Sequence, residues 1–311
     1  MHGRHFHTEL DRLRENAAEF ADANPALAPL LNGPMTDPDV ERLLDAVAFQ
    51  NTLLGRKLDV DFPELILNLA HLILPHYMRP TPATTILGFT PTRAMGQSVH
   101  IPAGARIASM PVDGTCCRFT TVWDLDVHPL EITDAAILQT SERAAEIRLS
   151  FMLHGITLSQ WLPGRIRLFL AGDRVTATGL YQLLCRRLKR IIVSAPGAET
   201  LVLPAGCLQQ AGYGENDALV PWPPHAFPGY RLLQEYFTAP EKFLFFDLTG
   251  LDRWTGRGDA GHFSVSFLLD GPVSEAPKVG RANFVTNAVP AVNLFSHDAD
   301  PIILDHRVSR Y

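Results

Sequence analysis

Apolar residues step through the first eighty positions at helical spacing. Phe6, Leu10, Leu13, Ala17 and Phe20 recur every three or four residues, which predicts a helix over 6–21 with one apolar stripe. Asn24-Pro25 ends it. Asp37-Pro38 opens a second helix, with the aspartate as N-cap, the proline at the first helical position, and Asp39 and Glu41 near the positive end of the dipole. Along it Val40, Leu44, Val47, Asn51, Leu54 and Leu58 keep the same alternation of fours and threes. Asn51 therefore falls in the middle of an apolar seam, where a polar residue costs stability but sets register and partner number. Phe49 and Leu53 add a second apolar pair one turn apart, among Arg42, Asp45 and Arg56. A third helical segment, Pro63 to Ile73, is apolar nearly all round apart from Glu64, Asn68 and His71, so most of its surface is expected to be buried. Pro75 stops it, and Arg79-Pro80-Thr81-Pro82 imposes an extended linker. These helices suit either an intramolecular cluster of three or a bundle shared with another chain, and the heptads are too short to choose between them.

Beyond Pro82 the pattern changes to short β-like runs at Thr84–Thr90, Ser98–Ile101, Arg106–Met110, Arg118–Val127 and Glu146–Leu153. From about residue 164 strands and helices mix: strands at Arg165–Ala171, Ile191–Ser194, Lys242–Leu248 and Phe263–Leu269, and helices at Val175–Arg190 and Gly229–Phe237. Without regular βαβ alternation this is an α+β chain. It reads as a helical assembly segment over 1–80, a β-rich domain over 81–163 and a mixed α+β domain over 164–311.

Composition narrows the function. Of 311 residues 46% are hydrophobic and 19% charged, with a net charge of −6, which excludes a disordered chain and makes a phosphate backbone a poor partner. No apolar run reaches the length of a spanning helix, so no direct membrane insertion is expected. Met1-His2-Gly3-Arg4 leads straight into the charged helical pattern rather than into a secretory signal. Cys116, Cys117, Cys185 and Cys207 form no disulfide framework or zinc pattern, and a reduced, cytoplasmic protein is expected. The chain has 23 Arg against 4 Lys. That bias suits protein interfaces, and GC-rich coding produces it equally well.

Candidate chemistry is thin. Gly256-Arg257-Gly258-Asp259-Ala260-Gly261 has the spacing of a dinucleotide loop, but its exit, His262 to Phe267, is strand-like where the chemistry needs a helix N-terminus. His2, His5 and His7 lack the partners of a tetrahedral metal site, and His71 and His76 read as helix-surface and turn residues. The densest acid–histidine group, His297, Asp298, Asp300, Asp305 and His306, is the one place a metal-dependent hydrolase site would form. It flanks the strand-like Pro301–Leu304, which favours solvated strand ends. No nucleophile elbow, P-loop or HExxH is present, and no catalytic residue, metal ligand or cofactor is assigned.

Several longer strings carry more weight. Asp37-Pro38-Asp39-Val40-Glu41-Arg42-Leu43-Leu44 is followed by Leu74-Pro75-His76-Tyr77-Met78-Arg79-Pro80-Thr81-Pro82, then by Ile101-Pro102-Ala103-Gly104. Later come Gly229-Tyr230-Arg231-Leu232-Leu233-Gln234-Glu235-Tyr236-Phe237, Pro240-Glu241-Lys242-Phe243-Leu244-Phe245-Phe246 and Pro290-Ala291-Val292-Asn293-Leu294-Phe295. In this order they resemble the TssF (VasA/ImpG) family of type VI secretion baseplate subunits, over essentially the whole chain and matching the N-terminal portion of longer members. The resemblance implies a structural, non-enzymatic role without a cofactor. The implied partners are TssG, a second copy of TssF, TssE and TssK in the wedge, and the VgrG spike hub. The implied place is the cytoplasmic side of the inner-membrane complex, as the platform for tail-tube and sheath growth. It also implies helices shared with TssG, and the heptad spacing, rather than the resemblance, offers Leu10, Leu13, Phe20, Val40, Leu44, Val47, Leu54 and Leu58 as the seam. Asn51 is then the register pin, and Phe49 and Leu53 are a second patch.

Overall fold

The computed structural model describes residues 2–31, 37–75, 77–92, 95–141, 144–224, 226–273 and 278–301. The chain forms two compact units, Met1–Arg79 and Pro80–Tyr311.

The first unit is helical: α1 (His2–Ala23), a single turn α2 (Ala28–Leu31) and α3 (Pro38–Ile73). The Asp37 carboxylate accepts the Asp39 N–H at 2.9 Å, capping α3 as its sequence implies. Pro63, however, does not begin a new helix. It lies inside α3, which runs unbroken for 36 residues. The helix loses one backbone bond there, and the favourable turns on either side carry it through. α1 and α3 pack as an antiparallel hairpin, anchored where the Arg14 guanidinium meets Glu41 at 3.3 Å. Leu10, Ala21 and Ala48 are buried at that contact. At 1.5 Å per residue α3 is about 54 Å long and α1 about 33 Å, so α1 covers only the first half of its partner.

The second unit holds fifteen named strands and two α-helices among the described residues. In chain order they are β1 (Thr84–Gly88), β2 (Val99–Ile101), β3 (Arg106–Ala108), β4 (Arg118–Thr121), β5 (Leu125–Val127), β6 (Leu130–Ser141), β7 (Ala144–Leu153), β8 (Arg165–Leu170), α4 (Arg174–Arg187), β9 (Leu188–Ser194), β10 (Leu201–Pro204), β11 (Leu208–Ala211), α5 (Pro228–Thr238), β12 (Phe245–Thr249), β13 (His262–Asp270), β14 (Phe284–Thr286) and β15 (Ala288–Val292). The sheets run β10-β9-β13-β7-β6, β11-β12-β8-β14, β1-β15-β4-β3 and β2-β5. A domain boundary at 163/164 does not fit this pairing. β7 lies against β13 and β1 against β15, so early and late strands share sheets.

The β11-β12-β8-β14 sheet is buried on both faces. Ile166, Leu168, Phe246 and Leu248 enter a large core with Ile147, Leu149, Val265 and Phe267 of the five-stranded sheet and Leu180 of α4. On the other face Phe245 packs with Trp123, Leu125 and Val289 in a second core. Strand alternation puts Arg167 and Asp247 on that second face. Arg167 holds Asp247 through two bonds of 2.7 and 2.8 Å, and its guanidinium lies 4.8 Å over the Trp123 ring.

Asn287 and His128 lock a corner between strands. Asn287 adopts φ 54°, a left-handed conformation that asparagine tolerates. Its side chain accepts the His128 N–H and donates to the His128 carbonyl, each at 2.9 Å. The His128 ring accepts from Ser98 Oγ at Nδ1 (2.7 Å) and donates from Nε2 to the Arg165 carbonyl (2.9 Å). All of these bonds suit the neutral ring, and burial holds the imidazole pKa below its ordinary value of 6.5. The unfolded chain therefore takes up a proton that the folded chain refuses. The stability contributed is complete above the ordinary value and is lost as pH falls through the lowered one. The urea midpoint is expected to drop between about pH 7 and about pH 5, and His128→Gln is expected to flatten that slope while lowering the plateau.

Candidate interaction surfaces

Half of α3 lacks cover from its own unit. Phe62, Leu65, Ile66, Leu67, Leu69, Leu72 and Ile73 are each between 47% and 75% exposed. Consecutive Leu65, Ile66 and Leu67 point in directions about 100° apart, so the apolar surface wraps round the helix rather than following one stripe. The expectation that this segment is buried is not met within its own unit, because α1 ends short of it. Fully burying one Leu or Phe side chain is worth about 1.5–3 kcal/mol, so these seven leave on the order of 10 kcal/mol unrealised. That is comparable to the whole stability of a typical domain.

The seam residues divide between covered and open positions. Leu10 is buried, and Leu13, Val40 and Leu44 are half-buried in the α1–α3 hairpin. Phe20, Val47, Asn51, Leu54 and Leu58 are exposed, as are Phe49 and Leu53 of the second patch. Beyond Leu44 the stripe facing α1 follows Ala48 and Thr52, a spacing of four where the heptad reading alternates threes and fours. Leu43, exposed as well, was missed because it sits beside the seam.

α5 is the second unusual surface, and its amphipathicity is inverted. The buried face of this helix carries Arg231 and Glu235. The Glu235 carboxylate pairs with the fully buried Lys242 ammonium and accepts the Leu219 N–H at 2.8 Å. Arg231 Nη2 donates to the Gly214 carbonyl (2.8 Å) and the Tyr213 carbonyl (3.2 Å). Its Nη1 lies 3.5 Å from Glu235 without a hydrogen bond. Burial pulls the Lys242 pKa down from its ordinary value against the opposing pull of Glu235. The outward face presents Tyr230, Leu233, Tyr236 and Phe237, the last 82% exposed, and Phe227 just before the helix is exposed too. In the sequence Arg231 and Glu235 are an ordinary surface i,i+4 pair. The signal that reverses this is Lys242 in the following turn, which competes for the same carboxylate.

The other sequence candidates assemble nothing. In the 256–261 loop Arg257 is buried, donating to the carbonyls of Trp254, Trp161 and Leu251, so the loop is a tie between segments. Among the described residues no three His, Cys, Asp or Glu side chains are placed to hold a metal ion. His297, Asp298 and Asp300 are exposed, whereas Asp305, His306 and His76 lie outside the described residues, as do the side chain of His2 and most of the 301–304 strand. Cys116, Cys117 and Cys185 are exposed free thiols, and Cys207 is buried. Among the described residues no helix is long and apolar enough to cross a membrane.

Apolar side chains turned outward on two helices, with charge held inside one of them, are the kind of surface that binds other proteins. A family profile described as "Type VI secretion system, TssF" matches residues 2–311. The type VI secretion system component TssF1 of Pseudomonas aeruginosa is 33% identical, over 99% of this chain and 53% of its own length. A chain of the cryo-electron microscopy structure of the type VI secretion TssK-TssF-TssG baseplate subcomplex superposes with a TM-score of 0.71 at 29% identity, covering 85% of this chain and 51% of its own. The chain belongs to the TssF family of the type VI secretion system, and it spans about half the length of these relatives.

The buried charges under α5 have an energetic signature. Glu235→Ala strands two buried cations and is expected to lower the unfolding free energy by about 3–5 kcal/mol in urea titrations. Lys242→Met leaves the Arg231–Glu235 pair in place and is expected to cost about 1 kcal/mol or less.

Proposed function

We propose that this chain is a structural subunit of a type VI secretion baseplate wedge and that it works by multivalent protein contact, without catalysis or a cofactor. Family membership supports the setting, and TssG and TssK are the partners suggested by the subcomplex to which the chain is similar. The observation that carries the role is the exposed apolar surface of α3 from Leu43 to Ile73. In this reading the helix packs into a bundle with TssG. Leu10, Leu13, Val40 and Leu44 hold the α1–α3 hairpin together. Phe20, Val47, Leu54 and Leu58 meet the partner with Asn51 setting register, and Phe49 and Leu53 supply a second contact. A second copy of the chain and TssE complete the wedge, and wedges assemble around the VgrG spike hub to support tail-tube and sheath growth on the cytoplasmic side of the inner-membrane complex.

The test is co-expression with TssG followed by sizing of the product. Leu54→Glu and Leu65→Glu replace side chains that are 60% and 63% exposed, so each is expected to abolish the complex while shifting the chain's own unfolding by no more than about 0.5 kcal/mol. A wild-type chain that stays monomeric beside TssG, or a Leu54→Glu chain that still joins it, overturns the bundle assignment.

A further inference from the structure

Beside the outward face of α5 lies a cleft of about 380 Å³, and Tyr236 borders both. Tyr181 of α4 lines one wall, and Tyr236 and Phe243 line the other, with Tyr213 between. Ring centroids stand 5.0 Å apart for Tyr213–Phe243 and 6.1 Å for Tyr236–Phe243, with the rings tilted by 52° and 51°, which gives the cleft an aromatic lining. The Tyr181 and Tyr213 hydroxyls meet at 2.8 Å. The cleft's charges sit on its two walls and are opposite in sign. Arg174 is on the α4 side and Glu241 on the side of the turn after α5. Both are exposed, and neither is in an ion pair among the described residues.

We propose that this cleft, with the adjoining face of α5, binds an extended proline-bearing segment of a partner protein, with an acidic residue at one end of the prolines and a basic residue at the other. Three properties select that occupant. An aromatic lining of tilted rings matches pyrrolidine rings and aliphatic side chains, which is how aromatic-lined grooves take polyproline segments. A polyproline helix leaves its carbonyls without internal partners, and the Tyr236 hydroxyl supplies a donor, those of Tyr181 and Tyr213 being engaged with each other. An α-helix, whose carbonyls are already bonded, would leave that hydroxyl unused. Charge complementarity then sets direction, because the acidic end belongs at Arg174 and the basic end at Glu241. This surface lies in the second unit and does not rest on the α3 assignment.

The test uses fluorescein-labelled decapeptides and anisotropy on the intact 311-residue chain. One probe is Arg-Pro-Ala-Leu-Pro-Pro-Leu-Pro-Ala-Asp, the second exchanges its terminal Arg and Asp, and a control replaces every proline by alanine. One charge arrangement is expected to bind at least about fivefold tighter than the other, and the alanine control at least about tenfold weaker than the better probe. Tyr236→Ala is expected to weaken the better probe at least about fivefold, and Glu241→Gln to erase the preference between the two arrangements. Both side chains are exposed, and an unchanged circular dichroism spectrum checks the fold. The proposal is overturned if neither probe saturates below about 5 mM, if the helix-prone alanine control binds as well, or if Tyr236→Ala leaves affinity unchanged.

Discussion

A sheet buried on both faces has nowhere to put a charge except against its opposite. Arg167 and Asp247 meet this constraint at the centre of the second unit, and much of what lies around them follows from it. Two ions taken out of water are tolerated only with good geometry and further bonds. Here the pair is forked and cross-strand, Arg165 adds a contact to Asp247 at 3.3 Å, and the Asp124 carbonyl accepts from both arginines. Trp123, stacked on Arg167, donates its indole N–H to the Asp217 carbonyl at 3.2 Å. The Asp217 carboxylate in turn accepts the Gly212 and Gly214 N–H groups, and this tight turn offers the carbonyls that Arg231 needs. The orientation of α5 thus traces back, bond by bond, to a charge pair in the middle sheet.

Much of this architecture could be read from periodicity and turn chemistry. The cap at Asp37, the strands from Thr84, Arg165 and Phe263, and the α5 helix all have local causes and lie close to where the sequence puts them. β6, β10, β11, β14 and β15 were missed. β15, Ala288-Val289-Pro290-Ala291-Val292, is buried throughout, so it shows no alternation, and its proline argues against a strand. Pro240 to Phe243 forms a 3₁₀ turn rather than the start of β12. α4 ends at Arg187 because the chain turns directly into β9, and propensity does not register that tertiary demand. Pro63 misled in the opposite direction, since a helix breaker was outvoted by its neighbours.

The surfaces show a sharper version of the same limit. A heptad count identifies an apolar seam but not whether the covering helix belongs to the same molecule. Arg231 and Glu235 look solvated until the fold turns them inward, and the aromatic residues beside them look like core until they are found outside. What decides both cases is which face a long-range contact claims, and a single string of residues does not encode that locally. The inversion in α5 and the bareness of α3 share one physical logic. In each, side chains that would ordinarily be buried in a monomer's core face outward instead.

The uncovered half of α3 has a consequence for the economy of the cell. A helix that shows leucine and isoleucine on several sides resembles the sticky, incompletely folded states that chaperones retain and proteases clear. In the proposed bundle an orphan copy would be a short-lived one, its steady-state amount following the supply of the partner that shields the helix. Gene dosage and translation would then need no fine matching between such subunits, because degradation of the unshielded excess would set their ratio.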